Sequence, residues 1–139
     1  MPLLGTGGVL FVAVLMSACA AQSSGPPTHT IEGHLELKDD GLFGAGIAAS
    51  GGTCHGVGRY FNVTPGLPIT IKDESGTIVG TASLNGGIGT ANSCSFPFLA
   101  KDVGEAKFYT FESGDYGEVT FSRADIESKG WRVELAIGY

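Results

Sequence analysis

The chain has 139 residues, enough for one modest core once a leader is removed and too few for a second domain. Apolar residues make up 42% and charged ones 16%, which fits a globular chain, while 23 glycines and 6 prolines point to many turns and short strands rather than long helices. A formal net charge of -6 supplies no basic stripe for phosphate neutralisation, which argues against nucleic acid as a partner and against electrostatic adhesion to anionic lipid.

The first charged side chain is Glu32, so composition splits the chain into leader, spacer and domain. Residues 9–16 form an apolar run far shorter than the roughly 20 residues that span a bilayer, and the run ends in Ser17, Ala18 and Cys19. Small residues before a cysteine are what a lipoprotein signal peptidase needs, since it cleaves ahead of a thiol already joined to diacylglycerol. The expected division is a lipoprotein signal peptide at 1–18, a flexible tether at 19–29 rich in Ala, Ser, Gly and Pro, and a β-sandwich domain at 30–139. Two departures stand against the pattern: Met16 occupies a position where Leu is usual, and residues 1–8 carry no Lys or Arg. Either the true start lies upstream or the amino terminus supplies the positive charge. Release as a soluble secreted protein, by ordinary cleavage after Ala20, is the alternative.

Lipidation of Cys19 would remove one of three cysteines and leave Cys54 and Cys94 as a pair in an exported, disulfide-permissive domain. A bridge between them closes a loop of about 40 residues, worth about 4 kcal/mol in the chain-entropy picture. Cys94 shares strand parity with Phe96 and Phe98 and is expected to point inward.

Residues 30–38 alternate, with Ile31, Leu35 and Leu37 on one face and Glu32, His34 and Glu36 on the other, as a half-buried first strand does. Asp39-Asp40-Gly41 turns the chain. The glycine-rich stretch 44–58 reads as a long loop without regular structure, pinned by the disulfide, and residues 59–63 as a short strand. Residues 67–72 and 77–84 flank Asp73-Glu74-Ser75-Gly76 and form the clearest hairpin signal in the chain. Strands at 95–99 and 106–111 carry Phe96, Phe98, Phe108, Tyr109 and Phe111, all expected in the core. A strand at 118–121 precedes a single helical turn signalled by Ser122, Asp125 and a closing Gly130. The last strand alternates Trp131, Val133, Leu135 and Ile137 with Arg132, Glu134 and Ala136. About seven such strands imply an all-β fold, a small antiparallel β-sandwich of transthyretin-like or Ig-like kind with one short helical turn.

The stretches GLPITIKDESGTIVGTASL, CSFPFLAKDV, AKFYTF, GEVTFSRADI and WRVELAIG together resemble small actinobacterial, mycobacterial-type exported lipoproteins. The similarity covers most of residues 30–139. It implies a location on the extracytoplasmic side of the cell membrane and brings no catalytic residues with it.

Chemistry-bearing side chains are sparse. His29 falls in the expected tether, His34 on a solvent face and His55 beside Cys54, so the spacing assembles no zinc site. Asp39-Asp40 and Asp73-Glu74 lie in turns where acids are favoured anyway. No G-x-S-x-G elbow surrounds Ser50 or Ser93, and no phosphate-loop lysine follows the glycine-rich stretch. Asn62-Val63-Thr64 has sequon form but reads as a strand end. The sequence therefore points to a non-enzymatic envelope lipoprotein, without cofactor or metal, that touches the membrane through a diacylglyceryl group on Cys19. It would bind another envelope protein, such as a membrane sensor or transport system, through an edge strand or the glycine-rich stretch. The alternative is carriage of a small ligand or lipid between the sheets.

Overall fold

The computed structural model describes residues 25–42 and 44–138. Cys19, the expected signal peptide and most of the expected tether lie outside the described residues. The elements are β1 (Thr28–Lys38), β2 (Ile47–Ser50), β3 (Thr53–Gly56), β4 (Pro68–Lys72), β5 (Ile78–Ser83), β6 (Gly87–Gly89), β7 (Ser93–Gly104), β8 (Phe108–Ser113), β9 (Glu118–Ser122), α1 (Arg123–Ser128) and β10 (Arg132–Gly138). Ten strands are thus described where about seven were expected. The additions are the short β2, β3 and β6, which glycine content had assigned to loops.

The strands form two sheets, ordered β10-β1-β7-β6-β3-β2 and β5-β4-β8-β9, in an all-β, sandwich-like arrangement. Pairing is antiparallel except between β1 and β10, which run parallel from Glu32 beside Arg132 to Lys38 beside Gly138. The two sheets share one core. Ile31, Leu35, Leu37, Cys94 and Phe96 of the first meet Ile69, Ile71, Tyr109 and Phe111 of the second, each fully buried. Burying a side chain of this size stabilises the fold by about 1.5–3 kcal/mol apiece before conformational entropy is counted. Truncation at any of them therefore costs more than most surface ion pairs contribute.

The hairpin β4–β5 forms as its pattern predicts. Asp73 Oδ1 accepts from the Ser75 and Thr77 N–H groups at 2.9 Å each and replaces the strand ladder through the turn. The cap of α1 also forms, with Ser122 Oγ accepting from Asp125 N–H at 3.2 Å.

Four expectations are corrected. The stretch 44–58 contains the hairpin β2–β3, whose turn residues Gly51 and Gly52 have φ of 61° and 84°. Two successive positive φ values are what a two-residue hairpin turn with the right twist requires, so these glycines build structure rather than interrupt it. Residues 59–63 are not a strand: a 3₁₀ turn at Gly58–Tyr60 carries the chain, and the Gly56 N–H donates to Val63 C=O at 2.8 Å. Phe108 is 49% exposed, because Tyr109 and Phe111 take the inward parity of β8. Finally, β1 begins at Thr28, so His29 belongs to the domain and not to the tether.

One side of the sandwich is closed by close approach. A Cβ on Gly80 of β5 would lie 2.9 Å from Val103 Cγ2 of β7, so the β5 backbone rests directly on that side chain. The opposite side, between β9 and β10, carries a groove and holds the candidate site.

Candidate binding seam between two edge strands

β9 ends one sheet and β10 ends the other. Register places Val119 opposite Phe111 and Phe121 opposite Tyr109, so both β9 side chains share the inward face with buried partners. Yet Val119 is 39% exposed and Phe121, though packed against the core, is only half-buried, so β10 covers the inner face of β9 incompletely. The resulting seam is a groove of about 390 Å³ walled by Phe111, Val119 and Phe121 on one side and by Leu135 and Ile137 on the other. Phe111 and Phe121 meet edge to face with centroids 5.8 Å apart, which fixes the wall.

The ends of the seam are built by polar side chains. At one end Tyr116 packs at 6.1 Å from Tyr60, and its hydroxyl donates to Arg59 C=O at 3.3 Å. Toward the other end the groove broadens into a depression of about 830 Å³ that reaches Lys129 and runs over β10, β1 and β7. Its rim carries two exposed pairs, Glu134 with His34 at 2.9 Å and Arg132 with Glu32 at 3.3 Å. Such solvated pairs contribute little stability. The narrower seam has the more distinctive chemistry, because the inward-facing Val119, and Phe121 in part, remain open to solvent above buried Phe111, Leu135 and Ile137.

Beyond α1 lies a second cluster that sequence reasoning missed. The His29 ring stacks on Trp131 at 3.7 Å, and its Nε2 contacts Glu105 Oε1 at 2.6 Å. Arg123 pairs with Glu105 through Nη1 and with Glu127 through Nε, the latter at 2.7 Å. Trp131 sits at φ 62°, held by its N–H donating to Ile126 C=O at 2.9 Å and its C=O accepting from Glu32 N–H at 3.0 Å. The edge of Tyr109 meets the Trp131 ring, and burial pushes the Tyr109 phenol up from its ordinary value. This cluster clamps the start of β1 to the end of the core. A lone histidine among small polar residues carried no signal of it.

A third polar centre is Asp39. It is 4% exposed, and its Oδ2 accepts from Gly46 N–H at 2.5 Å, while Oδ1 accepts from Gly41 N–H at 3.2 Å and pairs with Arg59 at 3.1 Å. The Gly46 N–H above all, then Gly41 and the Arg59 guanidinium, hold the carboxyl below its ordinary value against the opposing effect of burial. Asp39 thereby anchors the β2–β3 hairpin to the end of β1.

Cys54 and Cys94 form a disulfide with Cα atoms 5.9 Å apart, joining β3 to β7 around β6. Of the other residues singled out by sequence, His34 lies outward on β1 and His55 is exposed on β3. The three imidazoles are not brought together, and among the described residues no group of three metal-binding side chains is found. No helix among the described residues is long and apolar enough to cross a membrane. No family model, no curated protein and no solved structure matches this chain.

Proposed function

We propose that this chain is a non-enzymatic, lipid-anchored envelope lipoprotein of the actinobacterial exported kind, held to the membrane by a diacylglyceryl group on Cys19, and that it acts by binding another envelope protein such as a membrane sensor or transport system. The observation that supports binding is the open seam, where two edge strands flank apolar side chains of the inner face. Edge strands are ordinarily shortened, charged or covered, because their free backbone groups template further pairing. Here the inner face of β9 is incompletely covered beside a second edge strand. The two facing, mainly antiparallel sheets favour placing the fold with transthyretin-like or Ig-like sandwiches.

The test is site-specific photocrosslinking in the anchored full chain, with the probe at Val119 or, as control, at Thr110 on the outer face of β8. A reproducible envelope-protein adduct from Val119 and none from Thr110 is expected. Equal labelling from both positions would contradict a site at the seam. Detergent partition of wild type against Cys19→Ala tests the anchor: the wild type should enter the detergent phase and the variant should not. Carriage of a small apolar ligand is favoured by the Phe111 and Phe121 wall of the same seam. Saturable displacement of a fluorescent fatty acid from the purified domain would select it instead.

A further inference from the structure

We propose that the free edge of β9 accepts an added strand, and that the occupant is an extended peptide segment of a partner protein, apolar at alternate positions and basic at a position between them. This rests on the binding reading above and names the chemistry of the partner.

Register decides which backbone groups are available. Arg123 N–H donates to Lys107 C=O at 2.9 Å, and Ser113 N–H donates to Gly117 C=O at 3.1 Å. Both contacts continue the β8–β9 register in which Phe121 faces Tyr109 and Val119 faces Phe111. Antiparallel pairs alternate between hydrogen-bonded and non-hydrogen-bonded, so residues 117, 119, 121 and 123 turn their backbone groups toward β8. Glu118 and Thr120 turn theirs away from it. Because β9 is the last strand of its sheet, those N–H and C=O groups have no strand partner among the described residues.

The side chains make the same edge selective. Val119 and Phe121 stand inward and incompletely covered, so a strand added beside them would place every second side chain over them and toward Leu135 and Ile137. A purely hydrocarbon ligand would cover this wall but leave the donors and acceptors of Glu118 and Thr120 without protein partners. The charged side chains along the seam are Glu118 and Glu134, both acidic, in a chain of formal net charge -6. Glu134 already pairs with His34, but Glu118 stands outward on β9 itself, so a basic residue at an outward position of the added strand complements Glu118, whereas a second copy of this chain brings further negative charge. Main-chain pairing would supply affinity, and the alternating side chains with one basic residue would supply specificity.

The probe is a synthetic heptapeptide alternating Val and Lys, titrated into the ¹⁵N-labelled full chain, with the Val and Glu analogue as control. Shifts should concentrate on the amides of residues 118–122, with exchange of the Thr120 N–H slowed at least about tenfold at saturation. Thr120→Pro removes an outward N–H without removing a backbone bond to β8, a position where an edge strand tolerates proline, and Thr120→Val controls for the exposed Thr120–Thr110 hydroxyl bond lost with it. The proline variant should keep the fold and weaken binding at least about tenfold. Glu118→Gln should weaken binding several-fold and flatten its salt dependence. The proposal is overturned by absence of β9 shifts at millimolar peptide, by equal binding of the Val and Glu analogue, by undiminished binding to Thr120→Pro, or by self-association through β9. If those results coincide with a specific Val119 photoadduct, the binding reading stands and strand addition falls. If the photoadduct is also absent, both fall.

Discussion

Opening the disulfide should release a large part of the stability of this domain. Cys54 and Cys94 are 40 residues apart in sequence, and the bridge fastens the β2–β3 hairpin to the central strand β7. Closing a loop of that length removes unfolded-state entropy worth about 4 kcal/mol at 25 °C. Folded domains rarely exceed 5–15 kcal/mol in total. With a urea slope of about 1–3 kcal/mol/M for small proteins, reduction should lower the denaturation midpoint by roughly 1.3–4 M. The assay compares oxidised, reduced and Cys54→Ala/Cys94→Ala protein by urea titration followed through Trp131 fluorescence. Reduced protein keeps both buried sulfurs, so its loss reports the cross-link alone, and the double variant should lose about 1 kcal/mol more for the packing removed. A loss below about 1 kcal/mol on reduction would refute the reasoning, since it would mean that other contacts already close this loop.

Three further outcomes follow from local geometry. The Asp39 carboxyl is held below its ordinary value of 3.8, so its contribution is present above that pH and lost as pH falls through the lower folded value. Urea midpoints measured down an acid series should therefore drop more steeply for wild type than for Asp39→Asn, and parallel slopes would contradict the assigned cause. Gly33 pairs with Phe98 across β1 and β7, and a Cβ there would lie 2.2 Å from the ring. Gly33→Ala should cost about 1–3 kcal/mol by chemical denaturation, because the ring must leave the position it now covers. His29→Ala removes the stack on Trp131 and the Glu105 contact. A loss of about 0.5–1.5 kcal/mol is expected, with faster amide exchange confined to the start of β1.

The elements that were legible in sequence are those whose pattern and punctuation agree. In β4–β5, alternation of Ile69 and Ile71 meets a turn whose Asp73 and Gly76 serve its own hydrogen bonds. In β10, Val133, Leu135 and Ile137 keep strict parity because a single face is buried. Cys54 and Cys94 were readable because the pairing needs only a count. β2 and β3 were not, for their four-residue strands offer too few apolar side chains to outweigh neighbouring glycines, although Gly51-Gly52 is itself a hairpin signal. Phe108 was misplaced by composition when parity with Tyr109 would have placed it outward. The early start of β1 depends on His29 finding Trp131 about 100 residues later, a tertiary contact with no local trace. The seam was illegible for the same reason. Nothing in Glu118 to Ser122 records that the facing sheet stops at β10 and leaves Val119 uncovered.

Amide hydrogen exchange on the full chain, with and without cell-envelope membranes, tests most directly whether β9 is the working surface. Residues 118–122 should gain protection of at least about tenfold in the presence of the membranes, while β2, the far edge of the larger sheet, stays unchanged. Unaltered exchange along β9, or protection gained at β2 instead, would contradict it.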